Sequence, residues 1–244
     1  LEYADEETIF IPIEQVNLIQ RYIGSENHSP RLDKLGGASW EKRKGKVKKT
    51  VEDLADMLIS LYSRRKQARG FRFPKDTDWQ VEFEAAFPYE ETEDQLTCIE
   101  EVKVDMESEK PMDRLICGDV GYGKTEIGMR AAFKAVMGGK QVAFLAPTTI
   151  LVEQHFENFR ERFERFPVKI EMISRFVSRG DQKLILEKSK NGELDILIGT
   201  HRLLQKDVSF KNLGLLIIDE EQRFGVKDKE RLKELKTSID CLAL

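Results

Sequence analysis

Apolar residues in the second half of the chain fall into short runs, and amphipathic segments separate these runs. Six of them are apolar through their middles, as expected of strands that are covered on both faces of a sheet. They are residues 115–117, 142–146, 170–173, 196–198, 215–218 and 240–243. Helical spacing fills the gaps, notably over residues 125–137, which Gly138 and Gly139 close, and over residues 151–163. Strands that alternate with helices predict an α/β fold built on a parallel sheet.

The beginning of the chain has a different pattern. Over residues 1–16, Ile9, Ile11 and Ile13 lie on alternate positions, and Pro12 interrupts the series. Because proline is tolerated at the edges and ends of sheets, this pattern predicts the closing strands of a small β module.

A long connecting helix is predicted between this module and the sheet. At Thr50 a start that resembles a capping box leads into apolar residues at helical spacing, and we expect the helix to end near Gly70. The apolar positions are Val51, Leu54, Leu58, Leu61 and Tyr62. The basic run at residues 42–49 is either a solvated helix face or linker, or a phosphate-binding patch.

Composition narrows the class of protein. The 244 residues are 40% hydrophobic and 34% charged, with a net charge of −4. No apolar run approaches the roughly 20 residues that span a bilayer, so we expect a soluble protein without a membrane partner. Cys98, Cys117 and Cys241 are widely spaced in apolar sequence, which predicts reduced core thiols and a cytoplasmic location. The first residues lack Met and the features of a secretion signal, which predicts an internal start.

Residues 118–125 read GDVGYGKT and match the phosphate-loop pattern G-x-x-x-x-G-K-[ST] between an apolar run and a helix. In such a loop, backbone N–H groups and the positive end of the helix hold phosphate oxygens. Lys124 should reach the β- and γ-phosphates of ATP, and the Thr125 hydroxyl should ligate Mg²⁺. The alternative is a plain glycine-rich turn. The residues expected to bind the nucleotide are Gly118, Asp119, Val120, Gly121, Tyr122, Gly123, Lys124 and Thr125.

Two carboxylates follow the apolar run at residues 215–218. We expect Asp219 to hold Mg²⁺ through water and Glu220 to orient and deprotonate the attacking water, so that Lys124, Asp219 and Glu220 form the catalytic set. Alternatively, the two carboxylates mark a helix N-terminus, which favours negative charge.

Gln95 has two possible uses. Its amide could donate to and accept from the edge of an adenine base. Thr92 and Gln95 also have the spacing of a capping box for the helix that begins there.

These segments together resemble the motifs of superfamily 2 helicases and translocases. Residues 118–125 look like motif I, residues 146–149 like motif Ia, residues 198–201 like a later DNA-facing motif, and residues 219–222 like motif II. The stretches 118–121, 213–215 and 222–226 are similar to both the RecG helicases and the transcription-repair coupling factor family. The coupling factors are favoured by the stretches 10–16, 21–24, 34–37, 39–40, 124–126, 129–133 and 171–176.

The resemblance implies a RecA-like lobe at residues 75–244, linker and connecting helices at 25–74, and the end of an RNA-polymerase-interacting β module at 1–24. It implies a double-stranded DNA translocase that displaces stalled RNA polymerase and recruits nucleotide excision repair proteins. It further implies that motif III and a second lobe would follow residue 244. We therefore expect the fragment to bind ATP–Mg²⁺ weakly and not to translocate.

The resemblance also implies a set of residues that face the DNA backbone: Thr148, Ser174, Arg175, Thr200 and His201. Local structure offers an alternative for three of them. Thr148 could cap a helix, His201 could be a surface residue at a helix start, and Arg175 could pair with local carboxylates.

Overall fold

The computed structural model describes residues 4, 7–19, 38–119, 121–225, 228, 232, 235 and 237–244. It divides into two compact units, Leu1–Ser60 and Leu61–Leu244. Several predicted features lie outside the described residues: residues 21–24 and 34–37, Val120 of the phosphate loop, and Val226.

In the first unit, residues 7–19 hold a single β-bridge residue at Thr8 and a 3-10 helix at Ile13–Leu18. The predicted alternation is therefore wrong at Ile13, which begins a helical turn and not a strand. Pro12 explains the difference, because its fixed φ of −57° suits the start of a helix and it has no N–H to donate to a sheet.

Helix α1 spans Ala38–Gln67, so it begins 12 residues before the predicted start at Thr50. Thr50 lies in the helix interior, where its hydroxyl donates to the Lys46 carbonyl at 2.9 Å. The stretch before it is rich in Lys, which is a good helix former. The basic run at residues 42–49 forms an exposed helical surface.

The second unit contains one six-stranded sheet in which every pair of neighbouring strands is parallel. The strands are β1 (Asp113–Leu115), β2 (Gln141–Leu145), β3 (Ile170–Ile173), β4 (Ile196–Gly199), β5 (Leu213–Ile218) and β6 (Asp240–Ala243). Their order in the sheet is β1-β6-β5-β2-β4-β3. The predicted parallel α/β fold is confirmed. The clearest displacement is β1, which ends at Leu115, where the predicted strand began.

Helices cover the sheet. They are α2 (Asp78–Ala85), α3 (Glu93–Met106), α4 (Lys124–Met137), α5 (Thr149–Phe163) and α6 (Arg179–Asn191). Successive strand residues enter opposite core clusters, as Phe144 and Leu145 of β2 show. This division explains why the strands read as continuous apolar runs. Among the described residues, no helix combines the length and the apolar character needed to cross a bilayer.

The three cysteines do not share one environment. Cys241 is buried in β6, Cys98 is partly buried, and Cys117 is exposed. The prediction of core thiols therefore holds for Cys241 and is wrong for Cys117, which lies just beyond the end of β1 and not inside the sheet.

The strand order fixes where a site can form. All six strands run in the same direction, so their carboxyl ends share one edge of the sheet. In open α/β sheets, ligands bind at this edge. The phosphate loop follows β1, and the acidic pair follows β5, with only β6 between the two strands. At about 4.8 Å between strands, their ends are about 10 Å apart.

Candidate nucleotide and nucleic-acid site

The phosphate loop joins the end of β1 to the N-terminus of the 14-residue helix α4. Gly121 has φ +87° and Gly123, which is the N-cap of α4, has φ +72°. Residues with a side chain rarely adopt these angles, so glycine is required for the turn onto the helix. The loop therefore directs the positive end of α4 toward the carboxyl edge of the sheet.

The ammonium group of Lys124 lies across this loop. Its Nζ atom donates to the carbonyl of Gly118 at 2.5 Å and to that of Asp119 at 3.2 Å. Neither partner is a carboxylate, so the positive charge of the lysine stays available to an anion in the loop. A triphosphate in the loop would require such a charge.

The donor set at the site fits Mg²⁺. Thr125 offers a hydroxyl and Asp219 a carboxylate, and hard oxygen donors are the ligands that Mg²⁺ prefers. Among the described residues, no three His, Cys, Asp or Glu side chains form a metal cluster. Mg²⁺ commonly takes one or two protein ligands and completes its shell with phosphate and water.

Gln95 joins the start of α3 to the phosphate loop. The capping box is present: the Thr92 N–H donates to Gln95 Oε1 at 2.9 Å, and the Gln95 N–H donates to Thr92 Oγ1 at 3.3 Å. The side-chain Nε2 also donates to the Tyr122 carbonyl in the loop at 2.8 Å. A Cβ on Gly123 would come within 2.6 Å of this nitrogen, so the amide packs closely against the loop.

Asp219 is fixed from two sides. Its N–H donates to the carbonyl of Leu145, at the end of β2, at 2.8 Å. Its Oδ2 atom lies 2.8 Å from Nε2 of His155, a buried residue of α5. Sequence analysis did not single out His155. The sequence offered one sign of its role: a histidine stands at helical spacing among apolar residues, three after Val152 and four before Phe159, on the buried face of α5.

Glu220 has φ +51° and ψ +53°, and among the described residues it is the one non-glycine with a positive φ. Such a conformation costs about 1–2 kcal/mol and occurs preferentially at functional sites. The helix that follows is a three-residue 3-10 turn, and Glu220 makes no side-chain capping bond to it. Glu220 Oε2 lies 2.5 Å from Arg223 Nε but without hydrogen-bond geometry, so this oxygen is buried without a hydrogen bond. Helix capping alone does not explain this carboxylate.

The predicted DNA-facing residues lie together. A cleft of about 440 Å³ is lined by Thr148, Ser174, Arg175, Thr200 and His201. They follow β2, β3 and β4, whose carboxyl ends meet at this part of the edge. Sequence analysis missed Gln182, Arg202 and Gln205, which also line the cleft.

Several of these side chains also have local structural roles. Thr148 is the N-cap of α5 and accepts from the Leu151 N–H at 3.3 Å, so the capping alternative holds. Thr200 caps the 3-10 helix His201–Leu204. The Arg175 guanidinium lies 5.0 Å from the centre of the Phe176 ring and forms no ion pair within the described part of the chain, so the alternative of pairing with local carboxylates is not seen.

A buried ionic network supports the nucleotide end of the site. Arg130 of α4 pairs with Glu126 at 2.9 Å and with Glu91 at 2.7 Å, and Arg162 of α5 also contacts Glu126 at 2.9 Å. Hydrogen bonding to Arg130 lowers the pKa of Glu91. The network ties the segment before α3 to α4 and α5. Glu126 and Arg130 are four residues apart in α4, but Glu91 and Arg162 are far from them in sequence, so no local pattern predicts the whole network.

One protein family is similar to part of this chain, and individual known proteins are similar to all of it. Residues 92–243 match the DEAD/DEAH box helicase family. A transcription-repair-coupling factor from Borreliella burgdorferi is 58% identical over 100% of this chain and 22% of that protein. The corresponding protein from Bacillus subtilis is 54% identical over 100% of this chain and 21% of its own length. The chain thus spans about a fifth of these curated relatives.

A solved structure with the same fold is that of RecG bound to a three-way DNA junction. It aligns with a TM-score of 0.67 at 35% identity and covers 75% of this chain and 25% of that one. The predicted resemblance to coupling factors, with RecG as a second relative, is confirmed. The family match spans both the loop at residues 118–125 and the acidic pair, and the chain therefore belongs to the DEAD/DEAH box helicase family.

Proposed function

We propose that this chain is the nucleotide-binding lobe of an ATP-dependent double-stranded DNA translocase that couples transcription to repair. The observation that carries the proposal is the shared carboxyl edge of the sheet. The phosphate loop and the acidic pair occupy one part of this edge, and the cleft with all five predicted DNA-facing residues occupies another. Hydrolysis and DNA contact would therefore take place on one rigid support.

At the nucleotide end, the loop amides and Lys124 would bind the phosphates, while Thr125 and Asp219 would hold Mg²⁺. When bound, Mg²⁺ would neutralise charge on the phosphate oxygens. Glu220 would orient the attacking water and accept its proton. The positive φ of Glu220 supports this role, because strained backbone occurs preferentially at functional sites.

Gln95 would also read the adenine base. A glutamine amide has two N–H donors and two acceptor lone pairs. The capping box and the Tyr122 carbonyl use one acceptor site and one donor. One of each is left for the edge of an adenine, so the two uses considered for Gln95 are compatible.

The cleft would hold the phosphate backbone of DNA. Its hydroxyl groups and the Arg175 guanidinium suit contacts to phosphate oxygens, which carry no base information. A motor that passes over any sequence requires contacts of this kind. The net charge of −4 is no obstacle, because the contacts would be local ones, such as that of Arg175 in the cleft.

RNA polymerase and nucleotide excision repair proteins would be the partners of the complete protein. The identity of 54–58% to transcription-repair-coupling factors supports this. So do the apolar side chains of Phe10 and Ile13, which are 93% and 87% exposed within the segment predicted to bind polymerase. The boundaries at residues 24 and 74 and the cytoplasmic location remain predictions.

The ATPase proposal is tested by Glu220→Gln in the complete protein. DNA-stimulated hydrolysis should fall by about 100-fold or more, as when a catalytic base is removed, while ATP binding persists. Glu187→Gln is the matched control, because Glu187 is an exposed residue of α6. Unchanged turnover in Glu220→Gln would remove Glu220 from the mechanism.

The polymerase proposal is tested by a pull-down with purified RNA polymerase. Replacing Phe10 and Ile13 by Ser should reduce recovery, whereas Val47→Ser, an equally apolar exposed site on α1, should not. Equal recovery would exclude the segment. The likeness to RecG makes remodelling of branched DNA a second candidate. It would be favoured by a preference for three-way junctions together with no affinity for polymerase.

A further inference from the structure

His155 is an unusual residue for its position in α5. The buried face of this helix is formed by Val152, His155, Phe159 and Phe163. The imidazole is 6% exposed, and its ring centre lies 4.6 Å from that of Phe144. Its Nδ1 atom is buried without a hydrogen bond in the described structure. Burying an unsatisfied polar atom costs roughly 1–3 kcal/mol, which an apolar side chain would avoid.

The other ring nitrogen has a specific partner. His155 Nε2 lies 2.8 Å from Oδ2 of Asp219, and the two residues are 64 positions apart in sequence. With the proton on Nε2, this contact is a hydrogen bond from the imidazole to the carboxylate. Oδ1 of Asp219 makes no hydrogen bond to the described residues, so the histidine fixes one oxygen and leaves the other free to face the metal site.

The same helix reaches the DNA cleft. Thr148, the N-cap of α5, and Thr149, its first residue, both line the cleft. His155 is seven residues beyond Thr148, or about 10 Å along a helix that rises 1.5 Å per residue. A helix is stiff over this length, so a displacement of its first turn reaches the imidazole. Helix α5 thus contacts the cleft at its start and Asp219 through His155 in its second turn.

We propose that His155 is a positioning residue that holds the Asp219 carboxylate for metal binding and couples it, through α5, to the state of the DNA cleft. The proposal rests on the proposed function. It predicts that loss of the imidazole donor weakens the contribution of Mg²⁺ to nucleotide binding and also reduces the stimulation of hydrolysis by DNA. Residues that orient a metal ligand in this way typically change metal affinity or activity by about 10–100-fold when they are replaced.

Two substitutions separate the hydrogen bond from packing. In His155→Gln, the amide nitrogen occupies about the place of Nε2 and keeps the donor. In His155→Asn, the amide is one methylene shorter and cannot reach Asp219. Phe159→Leu, on the same buried face, controls for packing, and His155→Leu is a second loss variant should the asparagine destabilise the fold. Thermal unfolding of each variant of the complete protein shows which of them are folded.

The main readout is equilibrium binding of a fluorescent, non-hydrolysable ATP analogue, with Mg²⁺ and with EDTA. We expect His155→Asn and His155→Leu to lose about tenfold of the Mg²⁺-dependent gain in affinity. Binding in EDTA should be unchanged, and His155→Gln and Phe159→Leu should resemble the parent. If His155→Asn and His155→Leu keep the full Mg²⁺-dependent gain, or if Phe159→Leu loses as much, the positioning role is overturned.

The second readout is the ratio of ATP turnover with and without duplex DNA. We expect this ratio to fall in His155→Asn and to be restored in His155→Gln. A ratio that stays at the parent value while Mg²⁺-dependent binding is lost would overturn the coupling through α5. A parent protein without any DNA stimulation would contradict the proposed function instead, and the binding readout would still decide the positioning role.

Discussion

The nucleotide end and the cleft end of the site lie at the same edge of one sheet, but they are built from different parts of the chain. The nucleotide end consists largely of backbone, with Gly121 and Gly123 at positive φ and loop carbonyls around Lys124. The cleft consists of separate side chains, and two of them, Thr148 and Thr200, also cap helices. A backbone cradle requires glycine at fixed positions, whereas a capping threonine looks the same whether or not it binds DNA. The first kind of site is therefore visible in a sequence, and the second is not.

The largest effect is expected from Lys124→Ala, which leaves the backbone cradle intact and removes its charge. Nucleotide affinity and turnover should fall by about 100-fold or more, since the lysine would contact the phosphates directly. Isothermal titration with an ATP analogue measures this. DNA affinity without nucleotide should stay unchanged, and Lys183→Ala on the exposed face of α6 is the control. Equal losses of nucleotide and DNA binding would show that the two ends are not separate.

The next effect should appear at the opposite edge of the sheet, in the first residue of β6. Asp240 is 2% exposed, and burial raises its pKa from the usual 3.8 to about 7. The folded state therefore holds a proton that the unfolded state releases, and the stability from this group is lost as pH rises from about 4 to about 7.

Asp240→Asn keeps an oxygen to accept the hydrogen bond from the Met112 N–H and cannot ionise. At pH 8 it should be more stable than the parent by up to about 4 kcal/mol, and the difference should vanish near pH 4. Urea unfolding at several pH values measures this difference in stability. Asp78→Asn, at an exposed position of α2, is the control. Nucleotide and DNA affinities should not change. An asparagine variant that is less stable than the parent at pH 8 would contradict the assigned protonation.

At the cleft, substitutions of Thr148 can separate capping from DNA contact. Thr148→Asp keeps an N-cap acceptor, so stability should be retained, whereas Thr148→Ala should lose about 1 kcal/mol. DNA affinity should fall more in the aspartate variant, because a negative charge in the cleft repels phosphate. Thermal unfolding and DNA binding by fluorescence anisotropy measure the two effects. Unchanged DNA affinity in both variants would leave Thr148 as a cap only.

The smallest effect should come from Arg175→Ala. Loss of a single phosphate contact should weaken DNA binding about fivefold and reduce the salt slope, d log K/d log[salt], by about one unit. Arg160→Ala, at an exposed position of α5 away from the cleft, is the control. A salt slope that matches the parent would mean that Arg175 does not contact a phosphate.

Sequence patterns predicted some parts of the fold and of the site and missed others. The apolar runs predicted the parallel sheet, because strands covered on both faces are largely apolar through their middles. The predicted start of α1 is wrong, because residues 38–49 of the helix are mostly charged and have no apolar periodicity that would reveal them as helical. The contact between His155 and Asp219 joins residues 64 positions apart, and no local pattern encodes it. The roles of the individual site residues stay predictions until they are measured.

The most direct test of the account is a crystal structure of the complete protein with Mg²⁺ and a non-hydrolysable ATP analogue. We expect the triphosphate to lie in the loop at residues 118–125, with the metal ion between the Thr125 hydroxyl and the Asp219 carboxylate. A loop without nucleotide at saturating analogue, or a metal ion bound away from both side chains, would contradict the central claim.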